Sequence, residues 1–350
     1  MSIEKVLFDY LSDGSAVELY RLHNRCGAYV EILNYGGIVR AIVVPDVNGN
    51  FTDVVVGFDR IRDYKQYAAS YFGALVGRCA NRIADSSFIL NGSVYTLTAN
   101  NGRNHLHGGL CGFSEKLWNV SADSKANRLT LTLRSEDGEE GYPGTADITV
   151  TYTFDDSNAL CIDYKAIADK DTVINLTNHA YFNLNGHGAG CICGHKLKIE
   201  ASHFTPIDEA CIPTGEIAAV SGFTDFRSFR TLREGLCAEN KEEQLRRGQG
   251  YDLNYVLDKP RGTFGLAAIL QGEAAGRTME VYTDQPGIQL YTGNFMTDHI
   301  YGKDGVIYHR RGALCLETQL YPDAVHHPQW PSPILPAGKE YRHQTVYAFR

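Results

Sequence analysis

The chain has 350 residues, a formal net charge of −8 at pH 7, 43% hydrophobic and 21% charged residues. Chains of about 300 residues bury roughly 75% of their unfolded surface, so a large core is expected and disorder is not the starting assumption. No apolar run approaches the roughly 18 residues of a spanning helix, and the acidic balance would repel nucleic-acid phosphates and anionic lipid surfaces. The 35 glycines and 21 tyrosines, against 3 methionines, favour strands and turns over a helical bundle.

In chain order, the start Met1-Ser2-Ile3-Glu4-Lys5 lacks the charged-then-apolar pattern of an export signal, which predicts a cytoplasmic protein. Gly77-Arg78-Cys79-Ala80-Asn81-Arg82-Ile83 carries two arginines whose planar forks suit hydroxyls or carboxylates, or else surface ion pairs. Asn104-His105-Leu106-His107-Gly108-Gly109 puts two imidazoles on one face if extended, as in some metal sites. Its double glycine lets the backbone turn sharply or approach a ligand. Glu115 and His299, His309, His326, His327 and His343 are further ligand candidates, although no spacing compels them.

Leu129, Leu131 and Leu133 alternate with polar residues, as do Ile148, Val150, Tyr152 and Phe154, then Leu160, Ile162 and Tyr164 after an Asp155–Asn158 turn. Period two over many segments predicts antiparallel sheets with one packed face. From Val173 to Leu184, one parity class is Asn175, Thr177, His179, Tyr181 and Asn183, and the other is mostly apolar. An extended chain here would present a polar row suited to a polyhydroxylated ligand. The nine cysteines, an odd and scattered set, suit reduced thiols, and the lone Cys191-x-Cys193 pair lacks the second pair of a zinc finger.

Asn240 to Arg247 reads as a short helix or a solvated loop, and Asp252 follows it as a turn residue or a bidentate acceptor for two hydroxyls. Gln289 and Tyr291 share a strand face opposite Ile288 and Leu290. Glu317 and Gln319 lie opposite Leu314, Leu316 and Leu320. Four apolar residues precede Glu317, so its carboxylate is predicted to sit in a partly dry place where it needs a partner or a job. With no linker, repeat or composition break, residues 1–350 read as one all-β domain, a single large antiparallel β-sandwich of two sheets.

Taken together these motifs resemble the aldose 1-epimerase, or galactose mutarotase, family. The resemblance is carried by Asn34-Tyr35-Gly36-Gly37, Asp53–Asp59, Phe72-Gly73 through Asn81-Arg82-Ile83, Leu106–Gly109, Asn175–His179, Gly250-Tyr251-Asp252, Gln285–Asn294, Cys315–Gln319 and Pro322-Asp323-Ala324. It implies a β-supersandwich with a sugar cleft over one sheet. It implies Glu317 as general base and His179 as general acid, with Asn81, Arg82, His107, Asp252 and Gln289 at the sugar. It gives His105 no essential role. The run Asn294-Phe295-Met296-Thr297-Asp298 departs slightly from the family pattern at the cleft rim.

The implied reaction opens a pyranose by proton transfer to the ring oxygen and from the anomeric hydroxyl, then recloses it on the other face. It needs no cofactor and no metal. The implied partner is a free aldose such as galactose or glucose, with the chain a monomer or weak homodimer. Mutual attraction is expected to keep Glu317 ionised and His179 protonated. A non-catalytic sugar-binding protein, a metal-dependent isomerase using His105 and His107, and a hexose-6-phosphate epimerase are the alternatives. The last would want a basic cluster that is not evident.

Overall fold

Across the central ladder, Leu131 faces Val150 and Val150 faces Tyr164, so the alternating apolar residues stack on one side of an antiparallel sheet. The computed structural model that shows this describes residues 1–274, 276–297 and 300–350. The sheet has nine strands, in the order Asn119–Asp123, Arg128–Ser135, Ala146–Phe154, Ala159–Ala168, Glu340–Phe349, Thr278–Thr283, Gly265–Gln271, Lys196–Ile199 and Arg230–Thr231. The carboxy-terminal strand thus pairs at its centre, joining segments far apart in the chain. Among the described residues no closed barrel forms.

A five-stranded meander runs from Ser2–Tyr10 to Phe51–Asp53. A further five-stranded sheet has the order Ala218–Ala219, His203–Thr205, Asp252–Val256, Gly287–Tyr291 and Cys315–Gln319. The all-β reading therefore holds, while among the described residues the large sheets are three rather than the expected two, with two-stranded ribbons besides. One core cluster draws on all three sheets, with Val30 and Ile42 from the meander, Val150 and Val281 from the central sheet, and Leu253, Leu290 and Leu316 from the last. Each such side chain contributes about 1.5–3 kcal/mol on burial. Buried hydroxyls cross between layers, from Tyr152 to the Gly37 carbonyl at 2.7 Å and from Tyr347 to the Leu316 carbonyl at 2.9 Å.

The last sheet has a polar upper face because its inward residues use one parity. Asp252, Tyr291 and Cys315 stand in one cross-strand row, and Asn254, Gln289 and Glu317 in the next. Their neighbours Leu253, Leu290 and Leu316 point the other way, into the core.

Two sequence expectations change. The segment from Val173 to Leu184 is not one strand: Thr172–Val173 and Thr177–Asn178 form two short ladders, and Asn175 and Phe182 make isolated bridges. Its asparagines tie loops together instead. Asn175 Oδ1 accepts the Leu320 N–H at 3.0 Å, and Asn183 Nδ2 donates to the Gly190 and Gly312 carbonyls, each at 2.8 Å. His179 and Tyr181 remain facing the cleft. The cysteines are not all thiols either. Cys191 and Cys193 form a disulfide, because the tight turn Ile192–Gly194 brings their Cα atoms to 5.4 Å. The Asn240–Arg247 stretch contains a helix, Glu243–Arg247, and Leu232–Cys237 precedes it as a second short one.

Candidate active site

Over the polar face of that last sheet lies a cleft of about 470 Å³, including the solvent at its mouth. Six of the seven predicted site residues line it: Asn81, Arg82, His107, His179, Asp252 and Glu317. Gln289 stands behind them and donates from Nε2 to Asp252 Oδ1 at 2.6 Å. A wider surface hollow of about 840 Å³, again including open solvent and bordered by Arg261, Asp284 and Lys339, contains none of the seven.

The short Arg82–Ile83 and His105–Leu106 strands pair with each other. Just beyond, His107 adopts φ +52° and Gly108 φ +88°. A Cβ on Gly108 would lie 1.8 Å from the Gly77 carbonyl oxygen, so this close crossing requires glycine. The turn also separates the two imidazoles that an extended strand would put on one face. His105 is buried elsewhere, bonded to the Thr98 carbonyl at 2.7 Å and the Tyr142 hydroxyl at 2.8 Å.

His107 and Asn81 are locked reciprocally. The His107 N–H donates to the Asn81 carbonyl at 3.0 Å, and the Asn81 N–H donates to His107 Nδ1 at 3.2 Å. Because Nδ1 accepts, the neutral ring carries its proton on Nε2. Burial holds His107 well below the usual histidine range, helped by His179 and Arg82. It therefore offers one neutral donor.

The arginines divide cleanly. Arg78 is buried and donates to Ser135 Oγ at 2.8 Å and to the Pro143, Ser135 and Glu136 carbonyls at 2.7–2.9 Å, far from any ligand role. Arg82 reaches the cleft, with Nη1 3.5 Å from Asp252 Oδ2 and Nε donating to Asn101 Oδ1 at 3.2 Å. Asp323, from the Pro-Asp-Ala motif, braces this segment. Its N–H donates to the Arg82 carbonyl at 2.9 Å, and its Oδ1 accepts the Ala84 N–H at 2.9 Å. Sequence reasoning gave Asp323 no role; its φ of +58° is visible only in the fold.

At the floor, Glu317 Oε1 lies 3.7 Å from His179 Nε2, and both side chains are almost wholly buried. Glu317 Oε2 is buried without a hydrogen-bond partner. Tyr71 packs on His107 at 4.6 Å between ring centroids, and Tyr181 on His179 at 5.0 Å. Tyr71 was not singled out by the sequence, because a lone tyrosine carries no periodic signal.

Burial works against the expected charge pair. Burial pushes the Glu317 carboxyl well above its ordinary value, with Asp252 adding to the rise, and burial pushes His179 down to about 4. At 3.7 Å, in a dry pocket, the loss of hydration opposes the mutual attraction of the two groups.

Ligand atoms of His107, His179 and Glu317 lie within 4.8 Å of one another, a set able to hold a metal ion. The His105–His107 metal set is not assembled, and Glu115 instead accepts the Tyr35 hydroxyl at 2.7 Å. His326 bonds Asp323 Oδ1 at 2.7 Å, and His343 reaches the Leu176 carbonyl at 2.9 Å. Asp298 and His299 lie outside the described residues.

The aldose 1-epimerase family model matches residues 18–348. Galactose mutarotase of Sus scrofa is 42% identical over 350 residues, spanning 100% of this chain and 99% of that protein. Aldose 1-epimerase of Escherichia coli is 33% identical over 340 residues, 96% of each. A solved aldose epimerase homologue from C. elegans superposes with a TM-score of 0.87 at 34% identity, covering 96% of this chain and 99% of that one. The chain thus belongs to the aldose 1-epimerase family and is an isomerase of the racemase and epimerase class.

Proposed function

We propose that the protein is a mutarotase that interconverts the α and β anomers of free aldohexoses such as galactose and glucose, with Glu317 as base and His179 as acid. The observation that carries this is the buried carboxyl and imidazole 3.7 Å apart on the floor of a cleft walled by polar donors. Family membership supports the sugar as substrate class.

The pair shares one transferable proton. A neutral acid beside a neutral imidazole and a carboxylate beside an imidazolium differ only in where that proton sits. Sugar hydroxyls entering the cleft would bond Glu317 Oε2, the partnerless oxygen, and favour the charged arrangement, because hydrogen bonds to a carboxylate stabilise it. Glu317 then takes the anomeric hydroxyl proton while His179 Nε2 delivers its proton to the ring oxygen. The C1–O5 bond breaks and C1 becomes an aldehyde. Rotation about C1–C2 and reversal of both transfers give the other anomer.

Each positioned transfer contributes about 10²–10⁴-fold. In this reading the His107 Nε2–H and Arg82 stabilise oxygen charge during opening. Asp252, held by Gln289, accepts from sugar hydroxyls, and Asn81 keeps His107 in its donor tautomer. The same reading takes residues 1–350 as one domain working in the cytoplasm, as a monomer or weak homodimer, without cofactor or metal. A charge of −8 supports a neutral sugar over a polyanionic partner. Among the described residues no helix is long and apolar enough to cross a membrane.

The test is polarimetry of freshly dissolved α-D-galactose and α-D-glucose, with and without protein, in excess chelator. Acceleration over buffer is expected for at least one sugar. No acceleration in chelator but recovery on adding a divalent ion would favour a metal-dependent reading through His107, His179 and Glu317. No acceleration under any condition would leave only sugar binding.

A further inference from the structure

Cys315 stands in the strand that carries Glu317, two residues earlier and on the same face, fully buried. Its Sγ lies 3.4 Å from His179 Nδ1, the ring nitrogen turned away from Glu317. The other groups around the ring are His107, Tyr71, Tyr181 and Tyr291 at 5.0–6.1 Å between centroids, with Glu317 on the Nε2 side. Among the described residues, Cys315 is the side chain within hydrogen-bond distance of Nδ1.

We propose that Cys315 is a positioning residue, whose sulfur accepts the Nδ1–H of His179 and so keeps Nε2 as the nitrogen that exchanges its proton with the sugar. The inference rests on the mutarotase reading and adds to it the control of the acid's tautomer. In that cycle an imidazolium that gives up its Nε2 proton must be left with the proton on Nδ1, and that proton needs an acceptor. A ring that instead settled with its proton on Nε2 and a bare Nδ1 could not accept the returning proton at Nε2.

Two features suit sulfur to this place. His179's own backbone carbonyl also favours the protonated ring. Burial, with Glu317 and Asp252 nearby, raises the Cys315 thiol well above its ordinary value, so it stays uncharged. A neutral acceptor orients the ring without adding the ion pair that a carboxylate would make, and His179 remains a strong enough acid to protonate a ring oxygen.

The contact is tested on the whole protein with Cys315→Ala, which removes the acceptor, and Cys315→Ser, which keeps a smaller acceptor atom at the same side-chain position. Nitrogen-15 NMR of the His179 ring near pH 7 should show Nδ1 protonated and Nε2 bare in the parent, and a mixed tautomer in Cys315→Ala. By polarimetry, Cys315→Ala should lower kcat about tenfold with KM unchanged, the size of one hydrogen bond of about 1.4 kcal/mol. Cys315→Ser should recover most of that loss. A parent ring protonated on Nε2, or a Cys315→Ala protein with unchanged tautomer and kcat, would overturn the proposal. A parent with the Nδ1–H tautomer but no mutarotation would instead sink the mutarotase reading, since the NMR measurement does not depend on turnover.

Discussion

Gln289 Nε2 donates to Asp252 Oδ1 at 2.6 Å, while its own Oε1 accepts from Gln319 Nε2 at 3.1 Å. The chain continues from Gln319 Nε2 to Asn254 Oδ1 at 3.2 Å. Asp252 is thereby fixed from behind by an amide chain that runs through two neighbouring strands and back to its own, leaving its second oxygen toward Arg82 and the cleft. Precise placement of this kind keeps a binding group within the narrow tolerance that catalysis requires.

Glu317→Gln keeps the shape of the side chain and removes its proton affinity. The expected outcome is a fall in kcat of about 10²–10⁴-fold, with unchanged folding by circular dichroism. Unaltered mutarotation rates in this variant would exclude Glu317 as the base.

Asp252→Asn removes a negative charge that raises the Glu317 carboxyl. Glu317 would then ionise at lower pH, so the acidic limb of the kcat profile should move to lower pH. KM should rise at the same time, from weaker hydroxyl binding. An acidic limb that stays in place would show that Asp252 does not couple to the base.

Arg78→Leu and Arg82→Leu should separate stability from activity. Loss of Arg78 strands several buried carbonyls, costing at least about 3 kcal/mol, and should lower the urea midpoint markedly. Loss of Arg82 should leave that midpoint much closer to the parent's and reduce kcat/KM about 100-fold or more. Equal effects of the two changes on unfolding would contradict the division of roles.

His343 stacks on Tyr164 at 4.1 Å, and burial pushes it down to about 3. Its unfolded value is near 6.5, so the folded state is favoured fully above that pH, and stability falls as pH drops from 6.5 toward 3. At pH 5 this one histidine costs about 2 kcal/mol of stability. Urea unfolding at pH 7 and pH 5 should therefore differ less in His343→Gln than in the parent, by about that amount. An unchanged difference would assign the acid sensitivity to other groups, such as His195, which burial pushes down to about 4.

Much of the architecture was legible in the chain because strand alternation is a local pattern. Leu129 to Leu133, Ile148 to Phe154 and Leu160 to Tyr164 pair as their period predicts. The same parity placed Gln289 and Tyr291 on one face and Glu317 and Gln319 on one face, and the ladder sets Gln289 directly opposite Glu317. Parity misled from Val173 to Leu184, where asparagine side chains satisfy loop backbones. A polar side chain that bonds backbone has the same sequence pattern as one that faces a ligand.

By itself the sequence determined the strand-rich class, the residue types of the site and, through ordered motifs, the family. Only the tertiary structure decided the partners of these groups: Arg78 bonds backbone carbonyls while Arg82 meets Asp252, His105 and His107 bond different segments, and burial opposes the expected charges of Glu317 and His179. Pairing and periodicity depend on residues close in sequence or repeated along it. Desolvation and hydrogen-bond direction depend on everything that surrounds a group in space, and for this site those surroundings come from segments more than a hundred residues apart.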